Sequence, residues 1–362
     1  MLRSKGFFVA LALALLALAG AGAWLAFLPN TSGSDPHRGV RLPPGTTFEA
    51  AIDSLESSGG LASATSMRLF GRLTGWGDQV KTGHYVIAPG MSNWAMLDKI
   101  RKGLQDPIRI TIPAGSRPQT VAGTLARQLG ADSTEILAAF SDEALARELG
   151  TDTAHLFGRM RANTYDILWT TDARRAITRI HAWYERFWTD ERRARAEQLG
   201  LTPDEVLTLA SIVEWEARLP EERPRVAGVY LNRLLGRTPA GRMRLQADPT
   251  VQYALMQADG QPMRRLFLRD YQFPSPYNTY LIDGLPPGPI TNPSESSIDA
   301  VLNDEGHDYL FFVANGTGGH TFTRTLAEHN RAAAEWSRWL SEQVRIREER
   351  ERAAAQAAPA TN

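Results

Sequence analysis

Phe7 to Leu28 reads FFVALALALLALAGAGAWLAFL, 22 residues without a charge. A run that long and that apolar has few folded solutions, because a helix rising about 1.5 Å per residue carries it across the roughly 30 Å hydrocarbon core of a bilayer. Arg3 and Lys5 stand before it and Pro29 closes it. Basic flanks stay on the cytoplasmic side. Residues 1–6 are therefore expected inside, 7–28 as a single-pass helix in the plasma (inner) membrane, and the rest outside. A cleaved signal is the competing reading, since AGAGA offers small-residue sites, although the apolar part of a signal usually runs about 7–15 residues. Either way the bulk of the chain is exported.

That bulk must work without thiols. Cysteine is absent, which removes thiol nucleophiles, disulfides and Cys-bound zinc. Lysine occurs only at positions 5, 81, 99 and 102, so the chain beyond lacks the amine of a Schiff base or a Ser-Lys pair. Forty Lys and Arg balance forty Asp and Glu, and no net field draws the chain to nucleic acid. With 362 residues, 43% of them hydrophobic, it can bury the cores of two or three domains.

The expected fold class is α+β. After a polar linker at 29–39, RLPPGTTFEAAIDSL (Arg41–Leu55) is echoed by TIPAGSRPQTVAGTL (Thr111–Leu125), each reading as strand, Pro-Gly turn and helix. The first copy continues through a second helix, an alternating strand and a further helix. This is a small βααβ module at 40–106 that resembles a LysM unit. A strand-helix subdomain is expected at 107–150, a mixed α/β domain at 151–340 and a charged helical tail at 341–362. Trp183, Tyr184, Phe187 and Trp188 recur at helical spacing and read as core.

Thr202-Pro203-Asp204-Glu205 opens a helix with a capping threonine, a first-turn proline and two acids at the positive end of the dipole. It runs into LASIVEWEARLP, Leu209–Pro220, where two glutamates interrupt an apolar segment. With Val206 at 0°, Ala210, Val213 and Ala217 lie within about 40° of it, Glu214 at about 80° and Glu216 at about 280°. The carboxylates point about 160° apart and cannot act as a face-sharing pair. A glutamate pressed among apolar side chains has its charged form disfavoured and can donate a proton near neutral pH, as a general acid must. The other use is an ion pair, Glu214 with Arg218 or Glu216 with an arginine downstream. Periodicity does not choose.

Further motifs follow in order: RVAGVYLNRL (Arg225–Leu234), MRLQADPTVQYAL (Met243–Leu255), SPYNTYLIDGLPPGPITNPS (Ser275–Ser294), YLFFVANGTGGHTF (Tyr309–Phe322) and TLAEHN (Thr325–Asn330). Together with LASIVEWEA they resemble the YceG-like endolytic murein transglycosylases, over roughly residues 40–340. The resemblance implies that 151–340 is the catalytic domain and that Glu214, the first glutamate of the SIVExE motif, is catalytic. The implied substrate is the MurNAc-GlcNAc bond within peptidoglycan strands, cut to leave a 1,6-anhydro-MurNAc end that terminates the strand. Glycoside hydrolases need two carboxyl groups. A lytic transglycosylase uses the C6 hydroxyl of the muramic acid as nucleophile, so one glutamate serves as acid and then as base. No metal or cofactor is implied, and penicillin-binding synthases are implied as partners. A hydrolase that uses water and a non-catalytic glycan-binding scaffold are the alternatives.

Gln246, Asp248 and Thr250 set short polar groups beside a helix start, suited to sugar hydroxyls, unless Asp248 only caps that helix. Tyr277, Asn278, Thr279 and Tyr280 are expected to position N-acetyl groups. Asn292 joins these substrate-binding residues from GLPPGPITNP, whose prolines and glycines shape a wall. His320 and His329 lack metal-ligand spacing and read as structural. One departure stands out. Where many family members carry EGYLFPDTY this chain has FGRMRANTYDILW, Phe157–Trp169, with Phe157, Ala162 and Asn163 at two acids and a proline. That puts a second acid in doubt.

Overall fold

The structure, a computed structural model, describes residues 2–33, 39–260 and 264–357. Contacts divide the chain into two compact units, Met1–Ile110 with Leu125–Asp132 and Tyr165–Ala176, and Thr111–Thr124 with Ser133–Thr164 and Ile177–Asn362. The segment 107–150, expected as a subdomain of its own, is divided between them.

In the first unit α1 (Leu2–Phe27) is the one helix among the described residues long and apolar enough to cross a membrane, over Gly6–Phe27. Next come β1 (Gly39–Leu42), α2 (Phe48–Ser57), α3 (Ala64–Thr74), β2 (Gly83–Val86) and α4 (Asn93–Lys102). β1 and β2 pair antiparallel with Val40 opposite Tyr85, so the βααβ order expected at 40–106 is present. Thr47, Ser63 and Ser92 cap the three helices with their side-chain oxygens. The core gathers Leu42, Ile52, Leu55, Met67, Tyr85 and Met96.

The end of α1 belongs to that core: Leu25 and Ala26 are buried in it, and Asn93 Nδ2 donates to the Leu25 carbonyl at 2.8 Å. The linker is corrected accordingly. Asn30 is 5% exposed, donating to Asn93 Oδ1 at 2.7 Å and to the Ser63 carbonyl at 2.9 Å, and accepting from Ser63 N at 2.8 Å. A buried amide is tolerated because it is satisfied, and it docks the start of the segment. Residues 34–38 of the expected linker lie outside the described residues.

β3 (Ile108–Ile112) pairs with β4 (Asn163–Ile167). Between them lie α5 (Pro118–Gln128), α6 (Ser133–Phe140), α7 (Glu143–Glu148) and α8 (Thr153–Leu156). The turns before α2 and α5 both use a left-handed glycine, Gly45 and Gly115, as the echoed motif predicts. There follow α9 (Ala173–Phe187), α10 (Asp190–Leu199), α11 (Pro203–Glu216), α12 (Arg223–Leu235), α13 (Asp248–Asp259) and α14 (Glu295–Leu302). The antiparallel pair β5 (Phe311–Ala314) and β6 (His320–Thr323) precedes α15 (Leu326–Ala357).

The core of the second unit forms where α11, α12 and α14 meet, with Leu207, Ile212, Val226, Leu231, Ile298 and Val301 fully buried. Tyr184, Phe187 and Trp188 join it, as their spacing predicts, while Trp183 lies at the surface. The tail is helical from Leu326 onward and exposed, carrying i,i+4 pairs such as Arg347–Glu351 at 3.8 Å. Its expected end, 358–362, lies outside the described residues.

Candidate active site

α11 starts as its sequence dictates. Thr202 Oγ1 accepts from Glu205 N at 3.2 Å, and the Glu205 carboxylate accepts from Thr202 N at 2.7 Å, closing a capping box ahead of Pro203. The helix then stops at Glu216, with Ala217 extended. Arg218 is therefore not one helical turn beyond Glu214, and the partner of Glu214 is Arg223 from the start of α12.

Glu214 is spent inside the protein. Oε1 accepts from Arg223 at 3.1 Å; Oε2 accepts from Ser294 N at 2.9 Å, from the Ser294 hydroxyl and from Ser297 Oγ at 2.7 Å. Its side chain is 8% exposed. Both oxygens of the glutamate expected to be catalytic thus tie α11 to α12 and to the N-terminus of α14.

Glu216 looks the other way. It is half-buried at the wall of a cavity of about 460 Å³, shared with Tyr230, Arg233, Gln246, Asp248, Tyr280 and His320. Burial, reinforced by the charge of Asp248, pushes its carboxyl up to about 7 against the opposing pull of a hydrogen bond from Tyr230 (OH to Oε1, 2.8 Å) and of Arg233. Arg233 is buried too, donating to the Leu310 carbonyl at 2.8 Å and to the Leu245 carbonyl, and its burial lowers its own pKa. The surroundings therefore favour a proton on Glu216 at neutral pH.

The sequence model of the YceG-like family matches residues 40–335. The chain belongs to the YceG-like family. The endolytic murein transglycosylase of Bacillus subtilis is 28% identical over 308 residues, 81% of this chain and 83% of that protein. The protein of the same name from Streptococcus pneumoniae D39 is 28% identical over 368 residues, 91% of this chain, which spans 65% of the pneumococcal length. A yceG-like protein from Listeria monocytogenes, solved by crystallography, matches with a TM-score of 0.55 and 28% identity over 81% of this chain and 97% of that one. Every residue lining the Glu216 cavity lies within the YceG-like match.

Within this YceG-like domain the other expected site residues fall into two groups. Gln246, Asp248 and Tyr280 line the cavity. Asp248 is not a cap: Ala247 holds that position without a side-chain bond, and the Asp248 carboxylate accepts from Tyr280 OH at 2.7 Å and Tyr271 OH at 3.3 Å. Gln246 has φ 51°, the one left-handed non-glycine among the described residues, fixed by its N–H to the Thr279 carbonyl at 3.1 Å. Strain of this kind collects at functional sites.

The second group points inward, which corrects the expectation of direct sugar contact. Thr250, Asn278, Thr279 and Asn292 have no exposed surface. Thr250 and Thr279 bond each other at 2.8 Å; Asn278 donates to the Tyr271 and Phe273 carbonyls; Asn292 donates to the Pro113 and Met160 carbonyls and accepts from Ser116 N. Short polar side chains at these positions hold loops. Tyr277 packs on Tyr253, ring centroids 4.8 Å apart, and lines a separate cavity of about 670 Å³ together with Phe157. The departure from EGYLFPDTY thus brings no acid to Glu216: Phe157 lines that other cavity and Asn163 is exposed on β4.

Sequence reasoning missed Tyr230, Arg233 and Glu222, and read His320 as structural. A signal for the first two existed: VYLNRL places a phenol, an amide and a guanidinium in an otherwise apolar, buried helix, where each needs a reason.

Proposed function

We propose that this protein is a peptidoglycan lytic endotransglycosylase, a lyase, with Glu216 rather than Glu214 as its general acid. The observation that carries the reading is the Glu216 carboxyl at a cavity wall, pushed up to about 7 by burial and by the charge of Asp248 beside it. At neutral pH much of it is protonated and it can give that proton to a glycosidic oxygen. Gln246, Asp248, Tyr271 and Tyr280 supply polar and aromatic groups for sugar rings around it. The relatives named endolytic murein transglycosylase support the class of reaction; in this reading the bond cut is MurNAc-GlcNAc within strands, leaving 1,6-anhydro-MurNAc ends.

In this reading α1 anchors the protein in the membrane with its N-terminus cytoplasmic and its catalytic domain outside. The LysM-like βααβ module spaces the catalytic domain from the membrane or holds glycan, and penicillin-binding synthases supply nascent strands to be terminated. Glu214 braces α11 against α14.

Digestion of purified sacculi by wild type, Glu216→Gln and Glu214→Gln, with mass spectrometry of the products, tests the proposal. The expected result is internal cuts with anhydro ends, abolished in Glu216→Gln and persisting, at reduced rate, in Glu214→Gln. Full activity in Glu216→Gln overturns the acid assignment. Products heavier by one water favour a hydrolase, and no cuts by wild type favour a glycan-binding scaffold.

A further inference from the structure

A second proton-handling group faces the Glu216 cavity. His320, at the head of β6, lines it, and Glu222, in the turn before α12, grips this histidine at two points. Glu222 Oε2 lies 2.7 Å from His320 Nδ1, and Oε1 accepts the His320 backbone N–H at 2.9 Å. Both side chains are 14% exposed. Gly319, just before His320, leaves room for the Glu222 carboxylate where a Cβ would displace it. Phe312 meets the ring edge-on at 5.2 Å and fixes its plane.

A carboxylate on Nδ1 keeps the proton there and leaves the Nε2 lone pair as an acceptor, the arrangement that makes an imidazole a directed base. The charged and titratable groups facing it are Glu222 on the Nδ1 side and Glu216, Asp248, Arg233, His329, Tyr230, Tyr271 and Tyr280 around the cavity. Burial lowers the pKa of His329, so that ring is neutral and adds no competing charge.

We propose that His320, oriented by Glu222, is the base that takes the proton from the attacking sugar hydroxyl, an assignment that rests on the lytic reading above. Glu216 gives its proton to the bridging oxygen as the bond from C1 to that oxygen breaks. The C6 oxygen bonds to C1, and its proton passes to His320 Nε2. Return of that proton to Glu216 through solvent restores both groups, and no water is consumed. The labour is divided between two residues that were open to being one.

The test is the rate of anhydro-end formation by the full chain in detergent on isolated glycan strands, measured against pH for wild type, His320→Asn and Glu222→Gln. The asparagine amide can still donate toward Glu222 but offers no base. His320→Asn is expected to lower kcat about 100-fold or more, the usual worth of a general base, with KM nearly unchanged and the fall in rate toward acid pH gone. Glu222→Gln is expected to lower kcat less than His320→Asn does, with KM nearly unchanged, because a neutral amide no longer fixes the ring with its proton on Nδ1. It also tests the dyad should the histidine variant fold poorly. Wild-type kcat in His320→Asn, or in Glu222→Gln, overturns the proposal. Reducing muramic ends from wild type would instead overturn the intramolecular attack, and with it the lytic reading.

Discussion

At Glu216 the folded carboxyl titrates at about 7, against 4.5 for a free glutamate. The folded state therefore holds the proton more tightly than the unfolded chain does, and stability falls as pH rises from 4.5 towards 7 and stays lower above it. Glu216→Gln removes that penalty. Urea unfolding followed by circular dichroism is expected to give equal stabilities near pH 4 and a variant more stable by about 1–3 kcal/mol near pH 8. Equal stabilities at both pH values would mean that the carboxyl is not held protonated. Glu214→Ala has the opposite sign: it leaves Arg223, whose side chain is 11% exposed, without its anion. The expected cost is about 3–5 kcal/mol, read as a lower unfolding midpoint.

The elements were legible where local chemistry writes them. The capping box of α11, the Pro-Gly turns before α2 and α5 and the aromatic run of α9 all follow from residues a few positions apart. The end of α11 was legible in part: Pro220 has no N–H for the Glu216 carbonyl and disfavours helix at Leu219, so no full turn can follow Glu216. What no local pattern foretold is that the chain returns to place Arg223 against Glu214. Gln246 is the clearest case of strain held by a neighbouring element, its left-handed backbone fixed by the Thr279 carbonyl. Gln246→Gly is expected to raise the melting temperature, by up to about 1 kcal/mol of relieved strain, while lowering the rate of glycan cleavage. A lower melting temperature would show that the amide stabilises more than the backbone costs.

For the molecule as a whole, α1 ends inside a folded unit, so the apolar helix and the βααβ module are not independent. Removal of residues before Gly22 keeps Leu25 and Ala26 in the core, whereas removal of everything before Asn30 strips them away along with the carbonyl that Asn93 donates to. The shorter chain is expected to lose about 2 kcal/mol, roughly the burial of one leucine, seen as an earlier melt of the first unit by hydrogen exchange. Identical protection in both chains would contradict this packing.

The sequence by itself determined the length of the apolar helix, the absence of thiol chemistry, the capped start of α11 and the divergence of Glu214 and Glu216 by about 160°, because each depends on composition or on the fixed geometry of one helix. Only the tertiary structure decided what lies in those two directions. Arg223, Ser294 and Ser297 close around Glu214; Tyr230, Asp248 and the Glu222–His320 pair open around Glu216. These partners come from distant segments that chain folding alone brings together, and it is their charges and donors, not the helix, that separate a buried brace from a carboxyl able to give up a proton.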